Sequence, residues 1–104
     1  MTKSFAQQLA EDRRLVILRC LSEAGGYAAN ELVIRTGLDG YGHRVGRDVL
    51  RADIQFLADH TLLRIERLNP PSGGELWLLH LLPAGSDVAQ GRANHYGIAR
   101  PEVA

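Results

Sequence analysis

A single cysteine, Cys20, rules out an intrachain disulfide and makes a reducing compartment the natural setting. No stretch approaches the ~20 consecutive apolar residues that a membrane span needs. Nor is there a basic-then-apolar leader, since Gln, Glu, Asp and Arg interrupt Ser4 to Ala24. The expectation is a cytoplasmic protein with no membrane partner. Neither sign of charge is in surplus: 12 basic and 12 acidic residues give a formal net charge of zero. Proteins that neutralise phosphates usually carry a basic excess, so the balance weighs mildly against nucleic acid. His43, His60, His80 and His95 fall at no metal-ligand spacing and have no cysteine pair to join them. Walker loops, nucleophile elbows and His-Glu metal motifs are also missing. These gaps point to a binding protein without metal or cofactor rather than to an enzyme.

The 104 residues suffice for one domain with a modest core. Ser4 opens a first helix with Gln7 in the capping-box position, and Phe5, Leu9, Val16, Ile17, Cys20, Leu21 and Ala24 recur near the helical period. Gly25-Gly26 ends it. Tyr27-Ala28 is long enough only for a connector or a one-bridge strand. Asn30 caps a short second helix, Glu31 to Thr36, stopped by Gly37. After a glycine-rich turn, a third helix is expected from Arg44 to His60. The period then switches to two: Leu63 and Ile65 alternate with Arg64 and Glu66, Asn69 to Gly74 has loop composition, and Glu75 to Leu82 forms a second strand. Ser86 caps a last turn through Gln90. Three helices closed by a β-hairpin, with a short C-terminal helix, is an α+β fold of the winged helix-turn-helix kind. It is expected over residues 1–91, with 92–104 as an irregular tail.

On a wheel at ~100° per residue, Arg44, Arg47, Asp48, Arg51 and Gln55 share roughly one quadrant of the third helix. Arginine forks suit guanine edges and phosphates, and glutamine suits adenine, so this ridge fits a helix lying in a major groove. The plain alternative is a solvated face on which Asp48 pairs with Arg44 or Arg51. Its position after a helix-turn unit and before a hairpin favours double-stranded DNA. Arg64 and Arg67 are the cations nearest the hairpin loop, which itself holds no Lys or Arg. The expected DNA-binding set is therefore Arg44, Arg47, Arg51, Gln55, Arg64 and Arg67. Cys20 lies on an apolar helix face and reads as an inert core thiol.

The second strand is apolar on both faces: Trp77, Leu79 and Leu81 on one, Leu76, Leu78 and Leu82 on the other beside His80. Two covers suit the outer leucines. One is an edge strand from Tyr27-Ala28 with the tail folded back; the other is a second copy in a homodimer, which suits a two-half-site operator.

The segment Asn30 to Leu82 resembles winged-helix regulators of the ArsR/MarR type. Asp48 to Leu63 looks like their recognition helix entering a strand, and Leu81-Leu82-Pro83-Ala84-Gly85 like the run after their wing. Thr61 stands where those proteins usually have glycine, so the helix exit is either strained at Thr61 or differently shaped, with His60 taking the positive φ or the helix running directly into the strand. Their metal-sensing cysteine pairs are absent. Tyr41-Gly42-His43-Arg44-Val45, Arg51-Ala52-Asp53, and Gly91-Arg92-Ala93 through Gly97-Ile98-Ala99-Arg100-Pro101 are similar to a small protein family of Mu-like phages and prophages. That resemblance implies a phage- or prophage-encoded winged-helix protein. Its implied role is transcriptional regulation through DNA or, alternatively, contact with a protein partner in phage assembly or DNA packaging.

Overall fold

In the computed structural model, which describes residues 2–102, the capping box forms as its spacing requires. Ser4 Oγ accepts the Gln7 amide at 3.1 Å, and Gln7 Oε1 accepts the Ser4 amide at 2.9 Å. Helix α1 then runs Phe5–Glu23. Its C-terminal half is central to the fold: Leu15, Val16, Ile17, Leu18 and Leu21 are all buried, and the four consecutive positions among them point in different directions because several elements pack around this stretch. Its first two turns extend past that packing, so Phe5, expected on the apolar face, is exposed.

A turn at Gly25–Tyr27 leads to strand β1 (Ala28–Asn30) and helix α2 (Glu31–Gly40). Asn30 caps α2 by accepting the amides of Leu32 and Val33. The expected stop at Gly37 does not occur. A Cβ there would lie 2.7 Å from Cys20 Sγ, so this glycine is a contact point that lets α2 close on α1. The same burial, reinforced by Glu23, pushes the Cys20 thiol pKa up and keeps it protonated. The chain turns instead at Tyr41–Gly42, where Gly42 takes φ +88°.

Helix α3 spans Arg47–Asp59, starting three residues later than expected because Gly46 at its N-cap is extended (φ −79°, ψ 174°). Arg44 consequently belongs to the turn. At the far end the strained exit is the one found: His60 stays at φ −97° and Thr61 itself takes φ +58°. The amides of Leu62 and Thr61 reach back to the carbonyls of Leu57 and Ala58, a Schellman exit whose left-handed position favours glycine. A β-branched residue is strained there, and its hydroxyl only donates to the adjacent His60 carbonyl. Thr61→Gly should therefore raise the stability by roughly 0.5–1 kcal/mol, read as a higher urea midpoint with unchanged slope. A loss of about 1 kcal/mol would instead mean the hydroxyl contact outweighs the strain.

Strands β2 (Leu63–Leu68) and β3 (Leu76–Leu81) form an antiparallel hairpin, and β1 pairs antiparallel with β3 on its other edge. The order β1-β3-β2 makes β3 central, which is why its sequence is apolar on both faces. Trp77 and Leu79 are buried, while Leu76, Leu78 and Leu82 are half-covered. Glu66 and Asn30 flank Leu78 in the register, and Arg64 and Ala28 flank His80. The expected edge strand is thus present, as Ala28–Asn30, whereas the tail packs on α1 and α3 through Glu11, Arg14 and Phe56 rather than over this strip. Helix α4 (Pro83–Ala89) starts at Pro83 in its first turn, a position where the missing amide costs nothing, rather than at Ser86.

The segment after α4 is irregular but packed. Ile98 is buried, the Ala99 amide donates to the Glu11 carbonyl, and Arg14 donates to the Gly97 carbonyl at 2.9 Å. Asp53 on α3 is buried between Arg13 (2.6 Å) and Arg14 (3.2 Å) of α1, and Arg14 also lies over the Phe56 ring. Residues 103–104 of the expected tail lie outside the described residues. The described residues form an α+β domain of four α-helices and a three-stranded antiparallel sheet, an order compatible with a winged helix. Among the described residues no helix is long and apolar enough to cross a membrane, and no group of three or more His, Cys, Asp or Glu could hold a metal.

Candidate nucleic-acid interface

Helices α2 and α3 are joined by residues 41–46, and Arg44 of this turn and Arg47 of α3 are exposed. The turn is anchored to α1 through His43 Nε2, 2.6 Å from Asp12 Oδ2. Arg44, next to that anchor, extends into solvent with its side chain 87% exposed, 3.4 Å from Asp39. Arg47 opens α3 and is 55% exposed. It donates to the Glu75 carbonyl at 2.9 Å, where the hairpin loop returns to β3.

Arg51 has a different environment. Its guanidinium grips the Glu31 carboxylate through two bonds of 2.8 and 2.7 Å, donates to the Glu75 carbonyl at 3.0 Å and covers the Trp77 ring. Glu31 is 1% exposed and also accepts the Trp77 amide at 2.7 Å. Burial alone would raise the Glu31 pKa. The Arg51 and Trp77 hydrogen bonds and the charges of Arg51 and Arg47 overcome that and hold it below the usual carboxylate range. The hydrogen bonds that Arg51 donates to Glu31 keep Arg51 still more firmly protonated. Arg51 is therefore a strut joining α2, α3 and β3.

Arg67 joins this group, since it faces Trp77 in the strand register, lies over that ring and sits 3.7 Å from Glu75 Oε1. Arg47, Arg51 and Arg67 thus converge on Glu31, Glu75 and Trp77. Gln55 lies one turn beyond Arg51 and donates to Asp59 at 2.8 Å. Arg64 is directed to the other face of the sheet, opposite His80. The six expected residues consequently do not form one surface.

A seventh residue enters that sequence reasoning passed over. Arg35 on α2 is exposed, has no acidic partner among the described residues, and lines two clefts. One, of about 550 Å3, holds Arg35, Thr36, Asp39 and Arg44 between α2 and the turn. The other, of about 230 Å3, holds Arg35 and Arg47 between α2 and α3. The signal was a helical wheel on α2, which places Arg35 one turn from Glu31 and beside exposed Leu32 and Thr36. Five guanidiniums (Arg35, Arg44, Arg47, Arg51, Arg67) and four carboxylates (Glu31, Asp39, Asp48, Glu75) make up this side of the molecule, so its positive excess is small. The loop between β2 and β3 adds no charge of its own except at Glu75.

No protein-family model matches the chain. Among its relatives is the uncharacterized protein gp26 of Escherichia phage Mu, 44% identical over 93 residues, which are 89% of this chain and 91% of that protein. Another is an uncharacterized protein of Haemophilus influenzae, 52% identical over 65 residues, or 62% of this chain and 63% of that protein.

Proposed function

We propose that this chain, which belongs to the family of the Escherichia phage Mu protein gp26, is a winged helix-turn-helix protein that binds double-stranded DNA along the α2–α3 surface as a phage or prophage regulator. The observation that carries the reading is the row of exposed guanidiniums from Arg35, Arg44 and Arg47 along two adjoining clefts, beside the first turn of α3. Arg47 reaches base edges, Arg35 and Arg44 take backbone phosphates, and Arg51 holds the helix rather than reading it. The modest positive excess implies few released counterions and a shallow dependence of affinity on salt.

This division changes the natural test. Alanine at Arg51 would leave Glu31 buried and unpaired, so substituting Arg47 and Arg51 together would confuse folding with binding. Arg44→Ala with Arg47→Ala removes two exposed groups instead. The pair should weaken binding by ~2 kcal/mol or more, with thermal unfolding nearly unmoved and Arg64→Ala close to the parent. The measurement is a mobility-shift titration on DNA flanking the chain's own gene, at low and physiological salt. Parent-like binding by the double variant would defeat the assignment.

One observation favours a protein partner in phage assembly or DNA packaging: Leu32 of α2, which lines both clefts, is exposed, as is the adjacent Val33. Under that reading no DNA is retarded at any salt.

A further inference from the structure

We propose that the cleft between α1, the end of α4 and the C-terminal segment is a binding site for a small ligand bearing an oxyanion, a carboxylate or a phosphate, held by Arg19 and Arg100. Seven of the eleven arginines pair with an acidic side chain. Arg19, Arg35, Arg64 and Arg100 do not among the described residues. Arg35 belongs to the α2–α3 surface and Arg64 to the outer face of the sheet. Arg19 and Arg100 come from opposite ends of the chain and line one cavity of about 340 Å3. That size is at the lower end of the ~300–1,000 Å3 of small-molecule sites.

One acidic side chain is near in sequence and another lines the cavity, yet neither pairs with these guanidiniums among the described residues. Glu23 follows Arg19 by one helical turn, and Glu102 lines the cavity itself. Gln90 and Asn94 line it too, and neither side-chain amide has an intramolecular hydrogen bond among the described residues. Two planar forks and two amides therefore converge on one space with their donors unspent, and a fork matches the paired oxygens of a carboxylate or phosphate. Two guanidiniums against the single Glu102 carboxylate leave the site positive, which selects an anion. The cavity wall is set by the chain's path. Gly91 takes φ +79°, and a Cβ there would lie 3.7 Å from Pro101, so a positive-φ turn after α4 brings the Arg100-Pro101 end alongside. The Gly91 and Arg100-Pro101 elements of the C-terminal motif are thus used here and not by the α2–α3 surface.

The test is a nuclear magnetic resonance titration of the 15N-labelled full chain in low-chloride buffer near pH 7. Inorganic phosphate is the probe in one arm and succinate in the other. Saturable shifts should centre on Gln90, Gly91, Asn94 and Arg100, with α3 unmoved, and the tighter arm identifies which oxyanion the site prefers. Arg19→Ala and Arg100→Ala should each weaken that binding about tenfold, whereas Arg64→Ala, an unpaired arginine elsewhere, should not. The spectrum of each variant reports its fold, and Arg100, being exposed, tests the site even if α1 tolerates no change at Arg19. Non-saturating shifts in both arms would overturn the proposal. So would equal losses in Arg64→Ala, or parent-like binding by the folded Arg19 and Arg100 variants.

Discussion

Glu31→Ala should lower the unfolding free energy by ~3 kcal/mol or more, because removing one partner of a buried ion pair strands the other. Here the loss is compounded. Arg51, only 22% exposed, would keep its charge with the carboxylate gone, and the Trp77 amide would lose its acceptor inside the sheet. Three elements meet at that carboxylate: the start of α2, the middle of α3 and the start of β3. Glu31→Gln keeps the shape and one acceptor, so it should fall between alanine and the parent. The pH dependence follows from the sign of the shift. A carboxylate whose folded pKa is depressed contributes stability that is present above its unfolded value and lost as pH falls through the folded one. The gap between parent and Glu31→Ala should thus be widest near neutrality and narrow on acidification below the usual carboxylate range. Urea unfolding across that range measures both effects. A neutral-pH loss under ~1 kcal/mol would show that the charges are solvated and that Arg51 is free for another role.

Gly85→Ala should be comparably damaging, for a steric reason. A Cβ on Gly85 would sit 2.0 Å from the Leu62 carbonyl oxygen, and that oxygen is itself held by the Leu82 amide at 3.1 Å. Backbone cannot yield as a flexible side chain can, so α4 would have to lift from the entry to β2. The expected loss is about 3 kcal/mol. Gly40→Ala is the matched control: a Cβ at the end of α2 meets nothing within 4 Å, so the change should be neutral or slightly stabilising. Equal thermal midpoints for the two variants would mean that α4 docks more loosely than this contact implies.

These two sites bear differently on what was legible beforehand. Gly85 stood in a run, Leu81 to Gly85, that marked the strand's end and resembled the segment after a wing, although its role against Leu62 was hidden. Glu31 looked like an ordinary first-turn acid, favourable at a helix N-terminus. Nothing local distinguishes an exposed helix-opening glutamate from one buried under a tryptophan 46 residues away. Arg51-Ala52-Asp53 is similar in its ambiguity. From sequence it was a family motif on a charged helix; in the fold Arg51 reaches back 20 residues to α2 and Asp53 reaches back 40 to α1. The motif therefore fastens α3 on both sides.

By itself the sequence determined the helix-helix-helix-hairpin order, the Ser4 and Asn30 caps, the inward face of β3 and the need to cover its outer leucines. Each of those signals acts within a few residues, through a side chain capping its own helix or through a period that sorts one face from the other. Only tertiary structure decided that Gly37 is a contact rather than a stop, that Ala28–Asn30 covers the β3 edge, and that Thr61 takes the left-handed position. It also decided which arginines are engaged and which are free. An arginine's availability depends on whether a carboxylate comes to lie within reach of it. In this chain the carboxylate of Glu31 arrives from another helix, brought there by the packing of apolar residues that carry no charge at all.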